Sequence, residues 1–326
     1  MINRFRNLNP LNLILIIAIA IFLRLGVIME LPAKLSFDFV EPFAKLLIPI
    51  PLEHAFSPIA NLFIALIITL IQAFLFNRII NKYNLIGKPT FLPALLYITT
   101  SCLLAPFVVL NPTLICNFLT LWMIEKLLSI YKREDVRSVM YDLGMIIAVG
   151  TIIYFPFIAM LPLLWASLFI FRPFSWREWA IGALGFCSIF FFLWVFYYWN
   201  DSTEIFYKIW LPLAAKFPTK IEINFYDYLV LIPVIVILII GFIQLRSNFF
   251  RSFVQVRKSF QSLFVMFLLG ILSFYLKADL QIYHFLLCVP PASVLMAYYF
   301  LNATKPWFYE SLYLVLVSFI IYFQVV

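Results

Sequence analysis

The chain has 326 residues, of which 65% are hydrophobic and only 12% are charged, and its formal net charge is +8. Globular proteins average about 45–50% apolar and about 25% charged residues, so a soluble enzyme with a polar surface is excluded. So many aromatic and aliphatic residues also exclude a disordered chain. The sequence therefore predicts an all-α polytopic membrane protein, with residues 1–326 forming a single transmembrane domain.

The apolar runs predict the membrane spans. A helix needs about 20 apolar residues to cross the bilayer. Runs near this length predict about 11 transmembrane helices, at 11–30, 57–77, 91–110, 112–129, 139–155, 157–171, 178–199, 228–245, 262–276, 283–301 and 309–326. Several are short, and two of them meet at Pro156, which is typical of a hairpin with almost no loop.

The basic residues predict the orientation of these spans. With the N-terminus in the cytoplasm and alternating spans, 16 of the 23 Lys and Arg residues lie inside, as the positive-inside rule requires. The outer side keeps Arg24, Lys34, Lys45, Lys208, Lys216, Lys220 and Lys277. We therefore expect a multi-pass protein of a bacterial inner membrane with its C-terminus outside. The positive charge follows from this topology, and no basic cluster is dense enough to bind nucleic acid.

Two outer loops, 31–56 and 200–227, are large enough to carry chemistry. The first loop has charged residues at i, i+4, i+7 and i+11, namely Lys34, Asp38, Glu41 and Lys45. This spacing places them on one face of a helix, and such a helix is expected to lie in the membrane interface. Asp38 and Glu41 could act as a base and its orienting partner. The same spacing also fits a solvated helix face stabilised by ion pairs, and both interpretations stay open. Two carboxylates alone would be an incomplete set of metal ligands, so the need for a divalent metal is undetermined.

Arg24 lies near the predicted outer end of the first span. Its guanidinium suits bidentate phosphate binding, but a side chain that snorkels to the lipid head groups is the more common explanation. His54, just before the second span, could titrate near neutral pH or simply be solvated. Asp201 opens the second outer loop and could form a substrate rim or an ordinary loop start.

A further outer cluster follows the ninth span. Lys277, Asp279, Tyr283 and His284 are close together in the sequence, and Lys, Tyr and His side chains could bind a lipid-linked phosphate. Such residues also collect at the ends of spans as interface anchors.

Three stretches together resemble the GT-C superfamily of integral-membrane glycosyltransferases. They are Ile21-Phe-Leu-Arg24-Leu with the acidic loop after it, Asn117-Phe-Leu-Thr-Leu-Trp-Met-Ile-Glu-Lys126 with the short spans after it, and Tyr283-His-Phe-Leu-Leu-Cys-Val-Pro-Pro-Ala-Ser-Val-Leu-Met-Ala297. The resemblance implies membrane lipids as partners and a polyprenyl-phosphate-linked sugar as donor, which is transferred to an acceptor at the outer face.

The same resemblance implies roles for individual residues. Asp38, together with Glu41, would be catalytic. The donor phosphate would be bound by Arg24, Lys277, Tyr283 and His284.

The sequence departs from the family pattern at two points, and these departures leave other functions open beside the transferase. Asp38-Phe-Val-Glu41 stands where the family has an adjacent acidic pair, and the family's late Arg is missing. A non-catalytic membrane scaffold that keeps the fold, or a transporter or flippase for a lipid-linked substrate, therefore remains open beside the transferase.

Overall fold

The computed structural model describes residues 1–29, 57–131, 133–208, 210, 227–248, 252–276 and 282–325. Every regular element in these ranges is helical, which confirms the all-α class. The first outer loop with its predicted interfacial helix lies outside the described residues, as does most of the second outer loop.

The helices are numbered here in chain order. The α-helices are α1 (Ile2–Phe5), α2 (Leu11–Phe22), α3 (Leu25–Met29), α4 (Pro58–Lys82), α5 (Leu92–Ser101), α6 (Ala105–Val108), α7 (Pro112–Ser129), α8 (Arg137–Ile153), α9 (Leu161–Phe171), α10 (Trp176–Trp199), α11 (Thr203–Lys208), α12 (Leu231–Ser247), α13 (Val254–Leu272), α14 (Val289–Asn302) and α15 (Pro306–Val325). Short 3-10 helices span Phe155–Met160, Asp227–Val230, Ser273–Leu276 and Ile282–Cys288.

Six helices of the described ranges are long and apolar enough to cross a membrane. They are Pro58–Lys82, Trp176–Trp199, Tyr228–Ser247, Val254–Leu276, Ile282–Asn302 and Pro306–Gln324. The chain is therefore a multi-pass membrane protein. The larger number of about 11 spans depends on shorter apolar helices, such as Leu11–Phe22, Leu92–Ser101 and Phe155–Phe171, and stays a prediction.

Two apolar runs that predict one continuous span each form two helices in the structure. The run 11–30 divides into α2 and α3 around Leu23 and Arg24, and the run 91–110 divides into α5 and α6 around residues 102–104. Irregular backbone at membrane depth needs protein partners for its polar groups. At the second break Gln324 donates to the Cys102 carbonyl at 2.8 Å, and after α6 the side chain of Asn61 accepts from the Leu110 amide at 2.8 Å.

The described ranges contain five ion pairs, and three of them join neighbouring long helices or their ends. They join Lys82 to Glu125 at 2.7 Å, Lys126 to Asp142 at 2.6 Å and Arg172 to Glu178 at 3.6 Å. At the start of the chain, Arg6 donates to the Phe300 and Ala303 carbonyls. The charge count places all of these charged residues on the inner side, so these ion pairs join residues of the same predicted side. The compartment that this side faces stays a prediction.

Helices α8 and α10 pack unusually closely through glycine. A Cβ on Gly185 would overlap the Tyr141 carbonyl, and one on Gly144 would overlap the Gly182 carbonyl. Small residues allow such an approach of two membrane helices. This contact fixes α10 against the body of the protein while its other face carries exposed aromatic residues such as Phe192.

Candidate functional site

Arg24 occupies the break between α2 and α3 and is only 2% exposed. Its Nη2 donates a hydrogen bond to the Thr69 hydroxyl at 2.8 Å. Thr69 lies near the middle of the 25-residue α4, so the guanidinium lies deep among the helices and not at the outer end of a span. The sequence interpretation of a snorkelling Arg24 does not fit this burial.

The guanidinium of Arg24 has N–H donors that no described residue accepts. Nε and Nη1 have no hydrogen-bond partner within the described part of the chain, and no described carboxylate lies within ion-pair distance. The Cys102 thiol lies beside the guanidinium. A buried charge without a partner is strongly unfavourable, and intramembrane arginines usually face a functional site. This geometry favours binding of an anionic group with several oxygen acceptors.

A buried polar layer extends from Arg24 through the apolar interior. One turn after Thr69, Gln72 donates to the Leu114 carbonyl at 2.6 Å and accepts from the Tyr97 hydroxyl at 2.9 Å. The Asn117 side chain lies next to that hydroxyl. The side chains of Thr69, Gln72, Tyr97 and Asn117 are all at most 1% exposed. We call these four residues the polar layer.

The polar layer leads to the 3-10 helix that carries Tyr283 and His284. Asn117 Nδ2 donates to the Leu286 carbonyl at 3.1 Å, two residues beyond His284. The polar layer therefore lies between Arg24, which bonds Thr69, and the 3-10 helix of Tyr283 and His284, which bonds Asn117 through the Leu286 carbonyl.

His284 is held by protein groups on both ring nitrogens. Nδ1 lies 2.9 Å from the Tyr154 hydroxyl, and Nε2 lies 2.9 Å from Ser273 Oγ and 3.1 Å from the Gly270 carbonyl. Because Ser273 already donates to that carbonyl, we infer that Nε2 carries the proton and Nδ1 accepts from Tyr154. A ligand that bonded His284 would replace one of these contacts.

One family model, described as a family of unknown function (DUF6427), matches residues 43–326. The chain belongs to the DUF6427 family. The DUF6427 match includes the polar layer and His284, whereas Arg24 and Asp38 precede it. No curated protein and no solved structure matches the chain significantly.

The other predicted site residues are placed as follows. Tyr283 is half-buried, with its ring 6.1 Å from that of Tyr154. Asp201 is exposed in the turn after α10, with φ of 49°, a left-handed conformation that Asp tolerates. Asp38, Glu41, His54, Lys277 and Asp279 lie outside the described residues. Across the described ranges, no three His, Cys, Asp or Glu side chains come together as a possible metal site.

Sequence reasoning missed the polar layer because it considered only ionisable residues. A signal was nevertheless present in α4, where Asn61, Thr69 and Gln72 recur at helical spacing and are all buried. Neutral polar residues on one face of an apolar helix indicate contacts with other polar groups of the bundle.

Proposed function

We propose that this DUF6427 protein binds a lipid-linked phosphate at Arg24 and transfers the sugar carried by that phosphate to an acceptor at the outer membrane face. The observation that carries the proposal is the buried Arg24 guanidinium, two nitrogens of which have no hydrogen-bond partner among the described residues. The substrate class comes from the resemblance of the sequence to the GT-C superfamily.

The proposed reaction assigns each group one task. The acceptor hydroxyl forms a bond to the anomeric carbon of the sugar, and the bond from that carbon to the phosphate oxygen breaks. The phosphate leaves with the electron pair, and Arg24 stabilises the negative charge that develops on it. Asp38, oriented by Glu41, takes the proton of the acceptor hydroxyl. Lys277, Tyr283 and His284 are the further donor-phosphate residues of the proposal.

Arg24 has a physical advantage at its observed position. A charge interaction is stronger in the apolar interior than in water, because the effective dielectric constant is lower. A lipid donor can also enter the site sideways from the membrane, with its chain in the hydrocarbon and its phosphate against the guanidinium. The neutral polar layer adjoins this site through Thr69, which bonds the guanidinium.

The test uses the purified protein in nanodiscs with two probes, a polyprenyl phosphate and the same lipid carrying one hexose. We expect Arg24→Gln to weaken binding of both lipids at least about tenfold, because a hydrogen bond to a charged group contributes about 1.5–3 kcal/mol. We expect Asp38→Asn to keep binding and to lower release of free polyprenyl phosphate by about 10²–10⁴-fold. Unchanged lipid binding by Arg24→Gln would contradict the proposal.

Transport of the same lipid-linked substrate is the second candidate function. It is favoured by the position of Arg24 beside the middle of α4 and at a helix break, since transporters bind substrates at broken helices near the bilayer midplane. Arg24-dependent binding without any turnover of the hexosyl lipid in the presence of acceptor would favour transport. Absence of Arg24-dependent binding would instead favour the non-catalytic scaffold.

A further inference from the structure

Helices α12 and α13 form a hairpin whose turn region is rich in basic residues. The sequence has no acidic residue between Asp227 and Asp279, so neither helix carries a carboxylate. Arg246 ends α12, is exposed, and takes part in none of the ion pairs of the described ranges. Arg257 and Lys258 lie in the first turns of α13 and are half-buried. Positive charge is therefore concentrated at the end of this hairpin.

The two helices meet at a pair of aromatic side chains on the outside of the bundle. The ring centroids of Phe242 on α12 and Phe264 on α13 lie 5.5 Å apart, and both side chains remain exposed. Behind this pair, both helices pack against α14. The line along which α12 and α13 meet is therefore open on the outer surface of the bundle, and we call it the α12–α13 seam.

The part of the seam away from the turn is apolar. Its side chains are exposed and recur at helical spacing, which keeps them on the faces that carry the two rings. They are Ile235, Ile239 and Phe242 on α12, and Phe264, Leu268 and Leu272 on α13. Both helices belong to segments long and apolar enough to cross a membrane, so this part of the seam faces acyl chains.

Arg246 and Arg257 continue the same two faces toward the turn. Arg246 follows Phe242 by four residues and Arg257 precedes Phe264 by seven, and both intervals return to nearly the same face of a helix. At about 1.5 Å per residue, the two arginines lie about 6 Å and about 10 Å beyond the rings. A short connection makes α12 and α13 run in opposite directions, so both displacements point toward the turn. The two arginines therefore border the same end of the seam.

The seam sets two requirements for an occupant. The occupant must be apolar beside the exposed aromatic and aliphatic side chains, and negatively charged at the level of the two arginines. An anionic phospholipid has this distribution, because its acyl chains are joined to a phosphate whose oxygens suit guanidinium groups. A soluble anion or an acidic peptide would supply the charge but would leave the apolar part of the seam to other molecules.

We propose that the α12–α13 seam binds an anionic phospholipid of the surrounding membrane, with its phosphate between Arg246 and Arg257 and an acyl chain along the aromatic pair. Lys258 adds positive charge nearby, although its Nζ donates to the Phe171 carbonyl at 3.0 Å. This site lies on the outer surface of the bundle, whereas Arg24 is buried. The proposal goes beyond the proposed function and does not depend on it.

The experiment uses the purified full chain and two probes, phosphatidylglycerol and the zwitterionic phosphatidylcholine. Native mass spectrometry gives the dissociation constant of the first lipid bound. We expect the wild type to prefer phosphatidylglycerol at least about tenfold. Arg246→Gln should lower this preference about fivefold, the effect of one basic residue near an anionic lipid surface. The double variant with Arg257→Gln should abolish it.

Arg78→Gln is the matched control. It makes the same change at an exposed arginine near the end of α4, a helix that packs against α5 and α7. We expect the preference for phosphatidylglycerol to be unchanged. Arg257→Lys keeps the charge and should keep most of the preference. Thermal unfolding of all variants in detergent shows whether a loss comes from damage to the fold.

Four results would overturn the proposal. They are equal affinity of the wild type for the two lipids, an equal loss of preference in Arg78→Gln and Arg246→Gln, and displacement of phosphatidylglycerol by soluble glycerol phosphate. The fourth is a smaller dimer fraction of Arg246→Gln with unchanged lipid preference, which would assign the seam to a second copy of the chain. Arg246→Gln should also keep wild-type affinity for polyprenyl phosphate, so this proposal and the proposed function can fail separately.

Discussion

The hydroxyl of Thr69 accepts a hydrogen bond from Arg24 while it donates its own proton to the Ala65 carbonyl at 2.7 Å. The donation to the backbone of α4 leaves an oxygen lone pair directed at the guanidinium. A side chain with only donors could not do this, and an acidic one would neutralise Arg24. The pair thus fixes the guanidinium without using up its charge, which is the condition for binding a further anion.

Replacement of Thr69 by Val tests this arrangement. Val has nearly the same shape but no acceptor, so Arg24 loses its hydrogen-bond partner in a buried site. We expect the free energy of unfolding to fall by about 1–3 kcal/mol and lipid-phosphate affinity to fall several-fold. Chemical unfolding in detergent and the lipid-binding assay measure the two effects.

Two further variants control this prediction. Thr69→Ser keeps the hydroxyl and should restore most of the lipid affinity. Thr151→Val removes a buried hydroxyl that bonds only the Ile147 carbonyl in its own helix, so lipid affinity should stay at the wild-type value. Equal lipid binding by Thr69→Val and the wild type would show that Thr69 does not position Arg24.

The contact between α8 and α10 gives a second prediction. Gly185→Ala would place a methyl group on the Tyr141 backbone, which cannot move aside as a flexible side chain does. We expect the two helices to separate and the protein to unfold at a clearly lower temperature, because overpacking typically costs about 1–3 kcal/mol or more. Size-exclusion chromatography and thermal unfolding in detergent measure the effect.

Gly182→Ala is the comparison. Its new methyl group would meet the ends of two flexible side chains, Leu164 Cδ1 at 3.3 Å and Met140 Cε at 3.4 Å. These can shift by a few tenths of an ångström, so we expect a much smaller loss of stability. Equal stability of the two variants would mean that α8 and α10 do not approach each other as closely as observed.

The sequence could predict the long helices but not where the shorter ones break. The runs 57–77 and 178–199 correspond to α4 and α10, because long apolar runs have few alternatives. The break at Leu23 and Arg24 has no proline to mark it, the nearby Gly26 lies within α3, and apolar residues continue on both sides. It depends on contacts with α4 and α5, which are remote in the sequence.

The candidate site could be predicted only in part, because it too depends on contacts between residues that are remote in the sequence. Arg24 and His284 are rare ionisable residues in an apolar chain, so they can be selected from sequence. Thr69 and Asn117 carry no charge, and neutral polar residues are common enough in membrane helices to be passed over. Their importance follows from their convergence on Arg24 and on the Leu286 carbonyl, which is a property of the tertiary structure.

The contacts of His284 give a third prediction. Tyr154→Phe removes the hydroxyl that lies 2.9 Å from Nδ1 and leaves a buried acceptor with one donor fewer. We expect the free energy of unfolding to fall by about 1–3 kcal/mol. Tyr141→Phe is the control, because its hydroxyl bonds Ser188 at an exposed position and the loss should be smaller. A negligible effect of Tyr154→Phe in chemical unfolding would contradict the hydrogen bond between Tyr154 and His284.

The orientation of the bundle gives the last prediction. Arg6 bonds the Phe300 and Ala303 carbonyls, so the N-terminus lies on the same side as the turn that contains Lys305. The positive-inside rule places this side in the cytoplasm, and it places Asp201 outside. Both Lys305 and Asp201 are exposed and accept a cysteine without a change in the core.

Labelling of single cysteines with a membrane-impermeant maleimide in whole cells tests this orientation. The exposed native Cys187 is first replaced by Ser, while the other three cysteines are buried. We expect Asp201→Cys to react in intact cells and Lys305→Cys to react only after the membrane is opened. Reaction of Lys305→Cys in intact cells would place the N-terminus outside. It would also move Asp38 to the cytoplasmic face, and the proposed transfer would then have to occur on that side of the membrane.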